Sequence, residues 1–489
     1  MEKQIGVEIV SPNLMDKMVD FINSTEYDNL PPELQKISKF AIIDTFSVAL
    51  AGWNESSIKI LRDTYSSRQS DHLTASLWGE SKKFSIEYAA LINGTATHVL
   101  DYDDVTPSVL AHSSAPIVSA IIPVSEYLGK SGKELITAYV IGTEVMIRVG
   151  QVMGFEHYDL GWHATSTLGT IGAAAACGYL FQLDEEKLSN AISIAASMAG
   201  GLQKNFGTMT KPLHVGLAAQ NAIHATLLAD KGYVGNRNVF EERGFFNAFG
   251  GEKSWGHFKE KINRMEFGKP YDYLANGLSI KKYPCCYLTH RFIYGVENLR
   301  QEFNLTLDDV SEIDVKVPKG GLLPLIYNRP QTGLQGKFSA EYTCLAALED
   351  GKITLQSFTD RQVSREEIQQ KLPIVKVSEV GGTPKEGNEL DEIPVVVTIK
   401  TNNGNEYEKS IKHAPGSKEL PMSDEERKFK WMDCFTYYFQ EDSVNQELEK
   451  EIIHHFEYAG NLEEMDRIED WLSGIHELVK CKGLQKGGF

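Results

Sequence analysis

Apolar residues recur at helical spacing through the first half of the chain. Pro31 and Pro32 open one such stretch at the position where a helix tolerates proline. Ile37, Phe40, Ala41 and Leu50 continue its apolar face. The same spacing predicts helices over 85–100, 115–128 and 132–153. Three more, over 166–181, 184–199 and 215–231, are rich in Gly, Ala and Ser. Small residues let helix axes approach closely, so these three are expected at the centre of a bundle, with Gly232 closing the last. Near residue 268 the texture changes. Residues 311–317 and 395–400 alternate as half-buried strands do. Asn402, Asn403, Gly404 and Asn405 mark a hairpin between 395–401 and 406–411. Helices are expected between the strands, over 339–349 and 365–370. Beyond Pro415 and Gly416 the pattern is helical again, over 423–439, 445–458 and 465–479.

The expected fold is therefore mainly α with an inserted α+β domain. Residues 1–269 and 413–489 would build one large helical domain, and 270–412 a smaller α+β lid. Two chain crossings between such domains create a natural cleft and hinge. A length of 489 residues suits this division, being too long for one ordinary core.

Charge narrows the partners. The formal net charge is −18, which repels nucleic acid and anionic membranes at long range. If the substrate is itself an anion, its pocket must be locally positive against that field. No run of roughly 18 apolar residues occurs, and the nearest candidate, 168–181, reads as a tightly packed helix. The N-terminal residues lack the apolar core of a secretory signal. The six cysteines are Cys177, Cys285, Cys286, Cys344, Cys434 and Cys481, irregularly spaced, and suggest neither a disulfide framework nor a zinc ribbon. A reducing cytoplasm is the expected location.

Five stretches could carry chemistry. Asp101, Asp103 and Asp104 flank Tyr102, with Thr106 and His112 following. Three carboxylates so close face solvent, a magnesium ion, or a His or Lys that one of them orients. His163 precedes Thr165 and Ser166 at the start of an Ala-rich helix. A positive helix end there lowers a histidine's pKa and suits anion binding, unless the ring merely packs beside Trp162. Between Asn205 and Gly216, Thr208 and Thr210 offer hydroxyls, and Lys211 precedes Pro212. That proline biases Lys211 away from helix, so a loop position is expected, from which it can neutralise a carboxylate or an enolate. Lys281 and Lys282 precede the vicinal Cys285 and Cys286. These thiols are either acid/base groups with pKa depressed by the lysines or two small core residues. Tyr327, Asn328, Arg329 and Pro330 form a polar turn after Pro318, Lys319, Gly320 and Gly321.

Taken together, the order Asn93-Gly94-Thr95, His98, Asp101-Tyr102-Asp103-Asp104, Gly161-Trp162-His163, the Lys211 stretch and Lys281 to Cys286 resembles the MmgE/PrpD family. The resemblance implies a helical domain and an α+β lid with the active site between them, a homodimer, a small polycarboxylate substrate, and no metal or organic cofactor. Members include 2-methylcitrate dehydratases, cis-aconitate decarboxylases, iminodisuccinate epimerases and an aconitate isomerase. In the decarboxylase branch the pocket residues correspond to Asp101, Thr106, His112, His163, Lys211, Lys281 and Tyr327. The matches at Thr106 and His112 need one extra residue after Asp104. One position departs: that branch has a histidine where this chain has Cys286.

The implied chemistry is proton or CO2 loss beside a carboxylate. Lys211 and Lys281 would hold the developing charge, with Thr106 and Thr210 binding substrate. His112 or His163 would act as base, oriented by Asp101. Tyr327 would donate a hydrogen bond or proton, and Cys286 would be a second acid/base. Two such groups make an aconitate isomerase the first expectation and a 2-methylcitrate dehydratase the second. Cis-aconitate decarboxylation, iminodisuccinate epimerisation, a catalytically inactive binding protein and a thiol redox protein are the remaining alternatives.

Overall fold

The computed structural model describes residues 13–68, 72–381, 393–440 and 444–486. The N-terminal stretch read above for a signal, up to residue 12, lies outside them. The fold is mainly helical, with a smaller α+β part.

Helix Ala164–Leu180 lies at the centre, with nearly every residue buried. It packs against Gly132–Met153, Ser114–Leu128 and Thr210–Asp230, and the last of these runs along Ile86–His98. Small residues set these distances. A Cβ on Gly172 would lie 2.4 Å from the Gly142 carbonyl oxygen, and one on Gly216 would lie 2.2 Å from that of Leu91. Helix Glu185–Met198, expected at the centre, flanks it instead, and Ile86–His98 and Ser114–Leu128 take the inner places. The latter two are almost wholly buried, and the polar Asn93 of the first is satisfied by the Trp78 N–H and the Ser76 carbonyl. Gly132–Met153 is also long and apolar enough to cross a membrane, but 89% of that stretch is buried inside the fold.

A four-stranded sheet is built from β3 (Val310–Pro318), β4 (Val375–Val380), β5 (Val395–Thr401) and β6 (Glu406–Ile411), after a small antiparallel pair, β1 (Thr74–Ser76) and β2 (Lys83–Ser85). Its order is β4-β3-β5-β6. The β5–β6 hairpin pairs Val395 with Ile411 and turns through Gly404, whose φ of 87° explains the glycine. Strand β4, not expected from the sequence, joins β3 in parallel across a long helical crossover, so no local turn announces it. Helices His290–Phe303 and Ala340–Asp350 pack on this sheet, the second capped by the Ser339 hydroxyl.

Two large buried clusters result, with a small third one of Val48, Ala51, Leu100, Tyr102, Leu355 and Cys434. Of the large two, one takes residues from Leu14 to Leu278 and again from Trp431 to Val479, and the other runs from Tyr283 to Ile399. The chain passes between them twice, and the passages touch: Ile280 N–H donates to the Gly416 carbonyl at 3.0 Å. Val105 and Ser279 form a bridge beside them. Lys281 and Cys286 therefore emerge from this neck next to the Asp101 turn.

Candidate active site

Helix Ile86–His98 ends just before the acidic turn, and its last residue is His98. The turn is held from outside by three lysines that donate to three successive carbonyls. Lys337 Nζ bonds Leu100 O, Lys281 Nζ bonds Asp101 O at 2.8 Å, and Lys430 Nζ bonds Tyr102 O at 3.0 Å. Carbonyls splayed toward three separate cations fit the left-handed backbone of Asp101, whose φ is 56°.

The three carboxylates do not converge on one partner. Asp101 lies between Lys211 and Lys281, at 2.8 and 3.2 Å. Burial would raise its pKa, but Lys211, Lys281 and His112 hold it well below the usual carboxylate range. Lys211 is raised in return, because the pull of Asp101 outweighs burial. Asp103 Oδ2 accepts from His98 Nδ1 at 2.7 Å and lies 3.3 Å from His112 Nδ1. The two imidazoles overcome burial and keep Asp103 far below the carboxylate range. Asp104 turns away toward Ser114, and burial pushes it up to about 7.

His98 sits among other imidazoles. Its ring is 4.8 Å from that of His112 and 5.6 Å from that of His163. Since ionised Asp103 holds the proton on Nδ1, Nε2 keeps its lone pair, and it has no hydrogen-bond partner among the described residues. His112 is half-buried. Its Nδ1 donates to the Asp104 carbonyl at 2.5 Å, its backbone N–H donates to Thr165, and burial drives its pKa down to about 3. His163 is the residue before helix Ala164–Leu180, and its Nδ1 meets His214 Nδ1 at 3.1 Å. Burial and the neighbouring His98 and Lys211 push it well below an ordinary histidine.

His98, Asp103 and His112 also bring one donor atom each within 4.8 Å of one another, as metal ligands would. Both Nδ1 atoms are spent on hydrogen bonds, His98 on Asp103 and His112 on the Asp104 carbonyl at 2.5 Å, which leaves the lone pairs of the two rings on Nε2.

Beside this cluster lies a cavity of about 510 Å³, within the ~300–1,000 Å³ of small-molecule sites. His98, Asp101 and Lys211 line one side, and Thr332, Lys337 and Phe338 from the sheet-bearing half line the other.

Several sequence expectations change here. Lys211 is in the first turn of helix Thr210–Asp230 rather than on a loop, because a proline in a helix's first turn has no intrahelical N–H partner to lose. Asp101 serves the lysines, and Asp103 does the orienting of histidine. Thr106 lies fully buried with its hydroxyl 2.5 Å from Ser113, in a chain that continues through Tyr273, Tyr139 and Ser114 to Asp104. That hydroxyl is spent away from the cavity. Thr208, not Thr210, lines the cavity. Tyr327 makes a backbone bond to Phe338 at 3.3 Å and is not among the lining residues. Cys286 is buried in the field of Asp101, Lys281 and Lys211, but burial and Asp101 prevail and push its thiol up to about 11. Cys285 rises to about 12 by burial. Both are free thiols within the buried cluster of the sheet-bearing half, so of the two readings burial favours small core residues over thiols of depressed pKa.

Sequence reasoning assigned no role to His98, His214 or Lys337, and offered Asp103 only as one of three carboxylates that could orient a His or Lys. His98 and Asp103 had a signal, a histidine five residues before a carboxylate at a helix end. Lys337 had none.

Residues 16–257 match the MmgE/PrpD N-terminal domain, and residues 283–454 match the MmgE/PrpD C-terminal domain. The chain belongs to the MmgE/PrpD family. The N-terminal match carries His98, Asp101, Asp103, His112, His163 and Lys211, and the C-terminal match carries Cys286, Lys337 and Lys430. Lys281 falls between the two. Among curated relatives in the MmgE/PrpD family, the human cis-aconitate decarboxylase is 27% identical over 75% of this chain and 76% of its own. The mouse cis-aconitate decarboxylase is 26% identical over 86% of each chain. The cis-aconitate decarboxylase of Aspergillus terreus is 25% identical over 98% of this chain and 99% of its own.

Proposed function

We propose that this chain is a cofactor-independent aconitate isomerase, which interconverts cis- and trans-aconitate by moving a proton beside a carboxylate. The observation that carries the reading is the Asp103–His98 pair: His98 lines the cavity that also holds Lys211, and its buried Nε2 has no hydrogen-bond partner among the described residues. An imidazole with Nδ1–H held by an ionised aspartate is a base, and the imidazolium it becomes is stabilised by that same aspartate. Removing an allylic proton breaks one C–H bond. Its electron pair spreads over the allylic carbons into a carboxylate, which then carries extra charge. Lys211, fixed by Asp101 and charged across the neutral range, is placed to stabilise that charge. Return of a proton to the allylic system completes the isomerisation, with no oxidant or reductant consumed. Neutral His112 and His163 line up as polar partners of the base rather than as cations.

A second reading, decarboxylation of cis-aconitate, draws on the names of the relatives and on Cys286. Loss of CO2 needs no base but does need an acid to protonate the carbanion, and the Cys286 thiol keeps its proton at neutral pH.

The test is proton NMR in D2O with cis-aconitate, trans-aconitate, 2-methylcitrate and iminodisuccinate offered separately. Interconversion of the aconitates with deuterium uptake and no CO2 is the expected result. CO2 release with formation of a five-carbon product replaces isomerisation by the second reading. If no substrate exchanges a proton or changes, both are wrong.

A further inference from the structure

Lys337 is the odd member of the three lysines that hold the acidic turn. The other two each face a carboxylate as well as a carbonyl: Lys281 has Asp101 at 3.2 Å, and Lys430 has Asp44 at 2.8 Å. Lys337 has the Leu100 carbonyl and the face of Phe358 at 5.6 Å, and among the described residues no carboxylate pairs with it. It is nevertheless 6% exposed. A buried ammonium without a counter-charge is costly, and an arriving anion would relieve that cost. An ammonium has three donors. One is spent on Leu100, and Lys337 lines the same cavity as Lys211, from the opposite half of the fold.

We propose that Lys337 is a binding residue for a carboxylate of the substrate remote from the reacting carbon, so that the site selects acids with at least two carboxylates. Besides Lys211 and Lys337 the lining carries Asp101, Glu55 and Asp360. Asp101 is taken up by Lys211 and Lys281, and Asp360 accepts from the Gly333 N–H, so Lys337 is the lysine of the lining that no carboxylate among the described residues pairs. The inference rests on the aconitate reading for the choice of ligand, but its test does not depend on turnover.

The groups that set the charge of Lys337 come from every side: Asp101 on the turn, Cys285 and Lys281 on the neck, Glu55 across the cavity, and Asp433 on the helix behind. Burial outweighs the pull of Asp101, Cys285 and Glu55, and lowers the ammonium to about 8. Because an anion needs the protonated form, affinity should be constant below pH 8 and fall above it. With that midpoint, the loss at pH 9 is about tenfold, accompanied by uptake of one proton on binding. Lys211 stays charged throughout this range.

The probe is tricarballylate, a saturated tricarboxylate that cannot isomerise, measured by calorimetry in buffers of different ionisation enthalpy. Wild-type protein should bind it about tenfold more weakly at pH 9 than at pH 7, taking up one proton. Lys337→Met should bind at least about tenfold more weakly at pH 7 and lose the pH dependence. Propionate should bind equally weakly to both. Unchanged wild-type affinity from pH 7 to 9, tricarballylate binding in Lys337→Met within twofold of wild type, or no binding by wild type overturns the assignment. If Lys337→Met does not fold, the wild-type pH series alone decides. Intact, proton-linked binding without aconitate turnover would sink the isomerase while leaving Lys337 in place.

Discussion

Replacing Asp103 by Asn tests the proton-transfer assignment most directly. Asparagine keeps the size and the ring position, accepting from His98 Nδ1 through its oxygen or donating to it through its NH2, and the second arrangement leaves the proton on Nε2 and removes the base outright. What disappears is one negative charge 2.7 Å from that nitrogen. The positive charge formed on proton transfer spreads over the ring, at an effective separation of ~4 Å. At an effective dielectric of ~20 that attraction is about 4 kcal/mol. At ~1.36 kcal/mol per factor of ten, kcat should fall about a thousandfold. KM should change little, because Asp103 is fully buried behind the histidines. The assay is initial-rate conversion of cis- or trans-aconitate by ultraviolet absorbance or NMR, with circular dichroism to establish the fold. His98→Gln should lose as much, and the double variant little more, since the pair acts as one unit. A folded Asp103→Asn protein with kcat within tenfold of wild type would refute the base assignment. A rise in KM alone would also refute it.

Asp101→Asn leaves Lys211 and Lys281 facing each other without their shared anion. Breaking a buried pair in this way should cost about 3–5 kcal/mol in urea unfolding, and a loss below ~1 kcal/mol would mean that the two ammoniums find other partners. Stability should also depend on pH in two opposite ways. Asp101 and Asp103 are held well below the carboxylate range, so their contribution is complete above pH ~4 and is lost as pH falls toward their folded values. Asp104, pushed up to about 7 by burial, costs stability as pH rises from ~4 through 7, and Asp104→Asn should abolish that part of the unfolding profile. Finally, native Cys285 and Cys286 should react slowly with a thiol reagent at pH 7.5, because burial keeps both protonated. Rapid labelling of either would contradict their pushed-up values.

Much of the fold was legible because it is local. Apolar periodicity located the core helices to within a few residues, as in 132–153, and the Asn-Gly turn located the β5–β6 hairpin. Strand β4 was missed because its partner β3 lies some sixty residues earlier, and an exposed edge strand leaves only a weak alternation. At the site, the stretches around Asp101, His112, His163, Lys211 and Lys281 do come together. Of the residues the sequence singled out, Asp101 and Lys211 line the cavity, whereas His112, His163, Lys281, Cys286, Thr106 and Tyr327 are not among its lining residues.

The chain's order of residues by itself determined the helices, the hairpin, the close approach of glycine-bearing helices and the presence of an acidic turn with lysines and histidines elsewhere. Those depend on backbone preferences and spacings within a few turns. Which carboxylate meets which cation was decided only by the tertiary structure. Lys211, Lys281 and Lys430 reach the turn from 110, 180 and 328 positions away, and Lys337 from 237. Burial then decides what each group can do: it leaves Cys286 a thiol, keeps His112 neutral, and lowers the Lys337 ammonium. Electrostatic energy depends on distance and on solvent, and neither is written in sequence spacing.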